Sequence, residues 1–259
     1  MDTKAPYDIL GNIALVKFSR GTKVKEKKKI ADKILKKNRS ITTVLEKTGG
    51  FKGRLRKQET KFVSGVKTKE AIYRENNCVF RFNVDSVYFS SRLSNERKEV
   101  AGKIKKKDNV FVMFAGAAPF SVVIAKNSKA EIIYSNEINK EANKYGRLNA
   151  ELNNVKNKII FFDGDIKKIA GKIKNKFDVI VMPRPQLKDS FLKEVFLLSK
   201  KGTRVYYYDF CKEKEIHEIV EKVKKEATKN RKKIKILKVK KAGEIAAYRY
   251  RIRIDFVVV

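Results

Sequence analysis

A mostly parallel α/β sheet closed by a C-terminal antiparallel hairpin, and preceded by a small mixed α/β domain, is the fold class that the sequence predicts. Three observations carry it. Apolar runs at 110–114, 131–135, 158–162, 177–182 and 203–208 alternate with helical stretches of about 10 to 20 residues, as parallel strands joined by crossover helices do. After a helical pattern at 213–228, "KIKILKVKKAGEIAAYRYRIRIDFVVV" reads as two long alternating strands joined around Gly243. The 42% apolar content over 259 residues is ample for one large core and a second, smaller one.

The smaller domain is assigned to residues 1–84. Within it, "DILGNIALVKF" (8–18) is expected to form a strand and "KEKKKIADKILKK" (25–37) a basic amphipathic helix. "SITTVLEK", "KGRLRKQETKFVSG" and "EAIYRENNCVFRFNV" are expected to form further strands with polar turns. The "RLRKQETKF" segment interleaves cations with apolar positions, as an RNA-contacting strand does and as a charged, protected edge strand also does. Residues 85–259 form the larger domain, whose parallel sheet with an antiparallel closing hairpin is the arrangement of Rossmann-like methyltransferases.

Composition excludes several function classes. Cys78 and Cys211 lie far apart without a CxxC partner and His217 is the one histidine, so a Cys/His metal site and a disulfide framework are not expected. His217 lies in "KEKEIHEIVEKVKK", where its ordinary reading is a structural helix residue. No apolar run approaches a membrane span, and "MDTKAPYDIL" lacks the pattern of a signal peptide, so a cytoplasmic protein with no membrane is expected. The 63 Lys+Arg against 29 Asp+Glu, a formal net charge of +34, point to a polyanionic partner. Genomic or thermal bias also enriches lysine, but thermal adaptation enriches glutamate with it. The densest patches run over Lys25–Lys29, Lys52–Lys57, Lys103–Lys107 and Arg231–Lys241.

The first strand–turn–helix of the large domain holds the candidate cofactor loop, "FAGAAPF", starting at Phe114. A diphosphate-binding turn is rich in glycine because the pyrophosphate must lie against backbone N–H groups. Here Gly116 stands alone among Ala117, Ala118 and Pro119. S-adenosylmethionine carries no phosphate. Its ribose diol needs an acid at the end of the second strand, where Glu137 lies 21 residues after Gly116, and its adenine amino group needs an acceptor after the third, where Asp165 lies in "FFDGDIKK". Each acid alone is also read as a helix N-cap or a solvated loop end. The fourth strand runs into "VMPRP", where Pro183 and Pro185 fix an extended turn around Arg184, suited to the floor of a pocket for a flat base.

"YDILGNIAL", "VYFSSRLSNER" (87–97), "MFAGAAPFSVVIAK", "NEIN", "GD" and "VMPRP", in that order, together resemble the archaeal and eukaryotic tRNA guanosine-37 N1-methyltransferase family, including its wyosine-pathway relatives, from about residue 7 to the C-terminus. The resemblance implies a class I Rossmann-like methyltransferase that uses S-adenosylmethionine on the purine at tRNA position 37, with the tRNA anticodon stem-loop as partner. It implies that Glu96 is the general base, that Arg56, or else Arg54, offsets charge on the guanine oxygen, and that Tyr88 and Arg92 contact substrate. Phe114, Gly116, Glu137 and Asp165 map onto the cofactor site, and Pro183, Arg184 and Pro185 onto the base pocket. Physically, guanine N1 becomes a nucleophile as its proton leaves, so a carboxylate and a cation suit it.

The chain begins where the family's second domain would, so the domain that contacts the tRNA elbow is expected to be absent, and a monomer without a metal is expected. The sequence also departs from the family pattern. Val112 replaces the usual aspartate, and Pro183 the usual asparagine. Those changes leave three readings open: methylation of guanosine N1 or of C7 of the wyosine-precursor imidazopurine, aminocarboxypropyl transfer from the same cofactor, and a non-catalytic RNA-binding module.

Overall fold

The computed structural model describes residues 5–259; the first four residues of the segment read for a signal peptide lie outside that range. The chain divides into two compact units, Met1–Ser91 and Arg92–Val259. This division falls after residue 91, not 84. Val84 and Val87 are buried and Phe89 stacks on Phe82 at 4.4 Å, which holds the 84–91 segment to the first unit.

In the first unit, residues 8–18 form a hairpin of β1 (Tyr7–Leu10) and β2 (Ile13–Val16) where one strand was expected. The turn at Gly11 and Asn12 folds the chain back, and the Asn12 side chain accepts from the Ile72 amide at 2.7 Å. Helix α1 (Val24–Lys37) crosses over to β3 (Thr43–Lys47), which pairs parallel to β2 and antiparallel to β4 (Thr60–Gly65). Ala31 and Ile34 of the helix pack with Ala14, Val16, Ile41 and Val44, while the lysines of α1 stay largely in solvent. A separate hairpin, β5 (Glu70–Glu75) and β6 (Cys78–Asn83), turns through Asn76 and Asn77, both left-handed, as a two-residue hairpin turn requires.

The "RLRKQETKF" strand is only half present. Residues 52–59 form a turn pinned by a Lys52–Lys57 bridge, and only Thr60 onward joins the sheet. A turn there places Arg56 at φ 53°, a conformation no strand residue adopts.

The second unit opens with α2 (Ser94–Gly102), then alternates β7 (Asn109–Val112), α3 (Pro119–Asn127), β8 (Ile132–Glu137), α4 (Lys140–Leu152), β9 (Ile159–Asp163), α5 (Ile166–Ile169), β10 (Phe177–Met182), α6 (Leu192–Leu198), β11 (Ser199–Lys212), α7 (Ile216–Lys229), β12 (Ile234–Ala246) and β13 (Arg249–Val258). The sheet order is β12-β13-β11-β10-β7-β8-β9, parallel except that β13 runs against both its neighbours. The hairpin turns between Ala246 and Arg249, with Tyr248 left-handed, whereas Gly243 sits inside β12 at an irregularity opposite Arg251. An isolated glycine in a strand marks a bulge as readily as a turn. Phe111, Ile180, Met182, Val205, Tyr207, Ile252, Ile254 and Phe256 fill the core. Among the described residues no helix is long and apolar enough to cross a membrane, and no group of three or more His, Cys, Asp or Glu is placed to hold a metal ion.

Candidate active site

Strand order reverses between β7 and β10, and an open α/β sheet binds its ligands at the carboxyl ends of the strands flanking that switch. The loop leaving β7 is shaped for close approach. Phe114, Gly116 and Ala118 are all left-handed, at φ 55°, 58° and 61°. Glycine adopts that conformation freely, but at Phe114 and Ala118 it costs about 1–3 kcal/mol each, a cost that concentrates at ligand clamps. The Ala115 amide donates to the Asn136 carbonyl at 2.8 Å and the Met113 amide to the Val181 carbonyl at 3.0 Å, tying the loop to both neighbouring strands.

Glu137, at the end of β8, closes the loop from the side. Its Oε2 accepts from the Gly116 amide at 2.8 Å and its Oε1 from the Asn139 amide at 2.8 Å. Burial pushes its carboxyl above the ordinary value, although the backbone amides of Asn139, Gly116 and Ile138 pull the other way. Helix α4 presses on the same loop: a Cβ at Gly146 would lie 3.0 Å from the Phe161 ring and 3.3 Å from Ala118. Buried Asn149 donates to the Ala117 carbonyl at 3.0 Å, and Asn136 donates to the carbonyls of Phe162 and Gly164 at 2.8 and 2.9 Å. These residues fit a ribosyl cofactor without a diphosphate: the amides that hold Glu137 are donors that ribose hydroxyls can replace or join.

Asp165 occupies the loop after β9 as expected, but its side chain caps α5, accepting from the Lys167 amide at 3.1 Å. A short acid just before a helix finds the orphan amide donors there. Arg184 departs further from expectation. It is 4% exposed and turned inward, donating to the carbonyls of Pro185 at 3.2 Å and Leu187 at 2.8 Å and pairing with Asp209 at 3.2 Å. Asp209 also accepts from the Tyr207 hydroxyl at 2.5 Å. The arginine therefore braces the turn and does not line a pocket with its guanidinium, since a buried cation goes where carbonyls and a carboxylate compensate its lost water. Its Nε is buried without a partner among the described residues, and Pro183 and Pro185 flank it half-exposed.

Glu96, in the first turn of α2, is 5% exposed and fully engaged on one oxygen. Oε2 accepts from Arg253 Nη1 at 2.6 Å and from the Tyr208 hydroxyl at 2.9 Å, while Oε1 pairs with Lys240 Nζ at 2.7 Å. The sequence suggested an available base; the structure places the carboxylate inside an ion cluster. Arg92 is exposed in the 3-10 turn Ser91–Leu93 that leads into α2.

In the first unit, Arg56 stands out from Arg54. Its guanidinium lies 4.6 Å from the Tyr88 ring and 5.5 Å from the Phe51 ring, and those two rings meet edge to face at 4.8 Å. Its Nε is buried with no partner, a donor whose desolvation nothing in the described residues offsets.

Several of these residues escape sequence reading. Asn149, Asp209, Tyr208 and Phe51 carry no motif, and Asn136 lies in "NEIN" without a role of its own there, although the asparagine-rich stretch "NEINKEANKYGRLNA" was a signal. Arg253, in "YRYRIRIDF", is one of several arginines alternating with apolar residues, yet it is 0% exposed in β13, which lies inside the sheet.

The sequence pattern of the TRM5/TYW2 methyltransferase domain matches residues 71–237. The chain is 32% identical, over 96% of its length and 98% of the relative's, to the tRNA (guanine(37)-N(1))/4-demethylwyosine(37)-methyltransferase Taw22 of Nanoarchaeum equitans. The crystal structure of Trm5b from Pyrococcus abyssi superposes with a TM-score of 0.86 at 32% identity, covering 98% of this chain and 74% of that one. A complex of aTrm5 with tRNALeu superposes at 0.84 with 25% identity, over 98% of this chain and 72% of that one. With a Rossmann-like sheet whose switch point carries the Gly116–Glu137 clasp, and with these relatives over nearly its whole length, the chain belongs to the TRM5/TYW2 methyltransferase family.

Proposed function

We propose that the protein transfers the methyl group of S-adenosylmethionine to the purine at tRNA position 37, at guanosine N1, at C7 of the wyosine-precursor imidazopurine, or at both. The observation that carries this reading is the Glu137 carboxylate held against the Gly116 amide at the switch point. Phe114, Gly116, Glu137 and Asp165 hold the cofactor, which supplies an electrophilic methyl group. Glu96 receives the proton that leaves guanine N1, and Arg56 stabilises the charge that develops on the purine oxygen; its buried, unpartnered Nε favours it over Arg54. Tyr88 and Arg92 contact the substrate, and the turn bearing Pro183 and Pro185, held by Arg184, forms the floor beneath the base. The basic surface tracks anticodon-stem phosphates, and the protein works as a cytoplasmic monomer without a metal.

The test is nucleoside mass spectrometry of tRNA carrying guanosine or the imidazopurine at position 37, incubated with methyl-labelled S-adenosylmethionine. Label on the purine of either substrate is expected. No label on either, with no cofactor binding by calorimetry, would overturn the reading in favour of a non-catalytic RNA-binding module. Transfer of a labelled aminocarboxypropyl group would overturn it in favour of the other transferase class.

A further inference from the structure

The cluster around Glu96 is built like a holder. Arg253 is 0% exposed, and its guanidinium reaches three carboxylates: Glu96 through Nη1 at 2.6 Å, Glu99 through Nη2 at 2.5 Å and Asp255 through Nε at 2.6 Å. Lys240 bridges Glu96 and Glu99 at 2.7 and 2.6 Å, and Lys103 pairs with Asp255 at 2.9 Å. Three cations (Arg253, Lys240, Lys103) thus meet three carboxylates (Glu96, Glu99, Asp255), so the cluster is neutral when Glu96 is ionised. Tyr208 from β11 adds one neutral donor. From α3, the apolar Phe120 ring packs beside Tyr208 at 5.9 Å, and the buried guanidinium of Arg97, from α2, lies 5.8 Å from the centre of that ring, a fourth cation beside these six groups.

An ionised carboxylate has about two acceptor positions on each oxygen. On Glu96, Arg253 and Tyr208 fill both positions of Oε2, whereas Lys240 fills one of Oε1. The two oxygens are therefore not equivalent. Replacing a buried ion cluster by apolar side chains is often neutral or stabilising, so stability alone gives little reason to bury a guanidinium inside a sheet. A need to fix one carboxylate in one rotamer gives a better one.

We infer that Arg253 and Tyr208 are positioning residues that lock Glu96 through Oε2 and leave Oε1, shared with Lys240, as the atom that accepts the substrate proton. This rests on the reading of Glu96 as the base. In that step the nucleobase N–H bond would break as an O–H bond forms at Oε1, and the electron pair left on nitrogen would take the methyl group of S-adenosylmethionine as its C–S bond breaks, the pair of that bond staying on sulfur, which leaves as a neutral thioether. Lys240 Nζ lies 2.7 Å from that same oxygen, and replacing it removes a cation of the kind that favours a carboxylate's ionised form. Lys240 itself stays charged: burial alone would lower its proton affinity, but the hydrogen bonds it donates to Glu96 and Glu99 outweigh it and raise it.

The experiment measures single-turnover methyl transfer to guanosine-37 tRNA against pH for the wild type, Lys240→Met, Tyr208→Phe and Glu96→Gln, with cofactor affinity by calorimetry and melting temperature alongside. Lys240→Met is expected to move the acid limb of the profile up by about 0.5 to 1 unit with cofactor affinity unchanged. Tyr208→Phe is expected to slow transfer about tenfold at every pH, again with cofactor affinity unchanged. Lowered melting temperatures with an unmoved acid limb and an unchanged rate would make the cluster merely structural and overturn the inference. Glu96→Gln separates the two failures: full activity there sinks the base reading itself, whereas an inactive Glu96→Gln beside an unmoved Lys240→Met profile sinks only the positioning role.

Discussion

Glu137 and Glu96 are two carboxylates of the same Rossmann unit held in opposite ways. Glu137 is gripped by neutral backbone amides, and burial pushes its proton affinity up. Glu96 is gripped by Arg253 and Lys240, in a cluster where the adjacent Glu99 is driven well below the ordinary carboxylate range, first by its hydrogen bond from Arg253. Backbone dipoles hold a carboxylate in place while leaving it open to hydroxyl donors; cations hold one ionised. The first arrangement suits recognition of an uncharged diol. The second fixes a carboxylate in one rotamer through charge-assisted hydrogen bonds.

The largest expected effect tests the cation-held side. Arg253→Met removes the guanidinium from three carboxylates and should destabilise the protein by about 3–5 kcal/mol, measured by urea unfolding. A loss below about 1 kcal/mol would show the cluster to be solvated and the contrast with Glu137 to be false. Next, Glu137→Ala should weaken S-adenosylmethionine binding about a hundredfold, near 2.7 kcal/mol, by calorimetry. The Glu137→Gln variant, which keeps an acceptor, should lose less.

The pH dependence of stability sharpens the comparison, because the two sites have opposite signs. Glu99 has a depressed value, so its contribution is complete above its ordinary 4.5 and is lost as pH falls below that toward the depressed value. Glu99→Gln should therefore flatten the acid side of the stability curve. Glu137 has a raised value, so the native state favours its protonated form, and its contribution falls as pH rises from the ordinary 4.5 through the raised value. Glu137→Gln should remove that fall. Unfolding midpoints from pH 3 to 8 check both, and slopes of the same sign in the two variants would break the distinction. The smallest effect concerns Cys211, whose thiol burial pushes up to about 11. Alkylation at pH 8 should be slow in the native protein and fast in urea.

Much of the large unit is legible in the chain because each strand and each crossover helix carries its own periodicity. The Gly116–Glu137 contact is legible too: the two residues belong to adjacent strand ends, and the topology alone brings them together. The first unit is harder. Its turns at Gly11 and at Arg56 interrupt apolar alternation without a proline or a glycine pair to mark them, so 8–18 and 52–65 each look like one strand. Gly243 misleads for the converse reason, since a bulge and a turn use the same residue.

Side-chain roles divide along similar lines. Arg184 and Arg253 are, in sequence, two cations among 63, and nothing local separates a buried brace from a solvated charge. Burial is a property of which strands flank a position: β13 is the last strand in the chain but an interior strand of the sheet, so the alternation that normally puts arginine in water here puts Arg253 against Glu96. Local periodicity carries the order of elements and the residue types available at the strand ends, because these follow from neighbouring positions in the chain. The sheet order, its switch point, and which carboxylate faces amides and which faces cations come from the folded chain, because they depend on partners as far as 157 positions away in sequence.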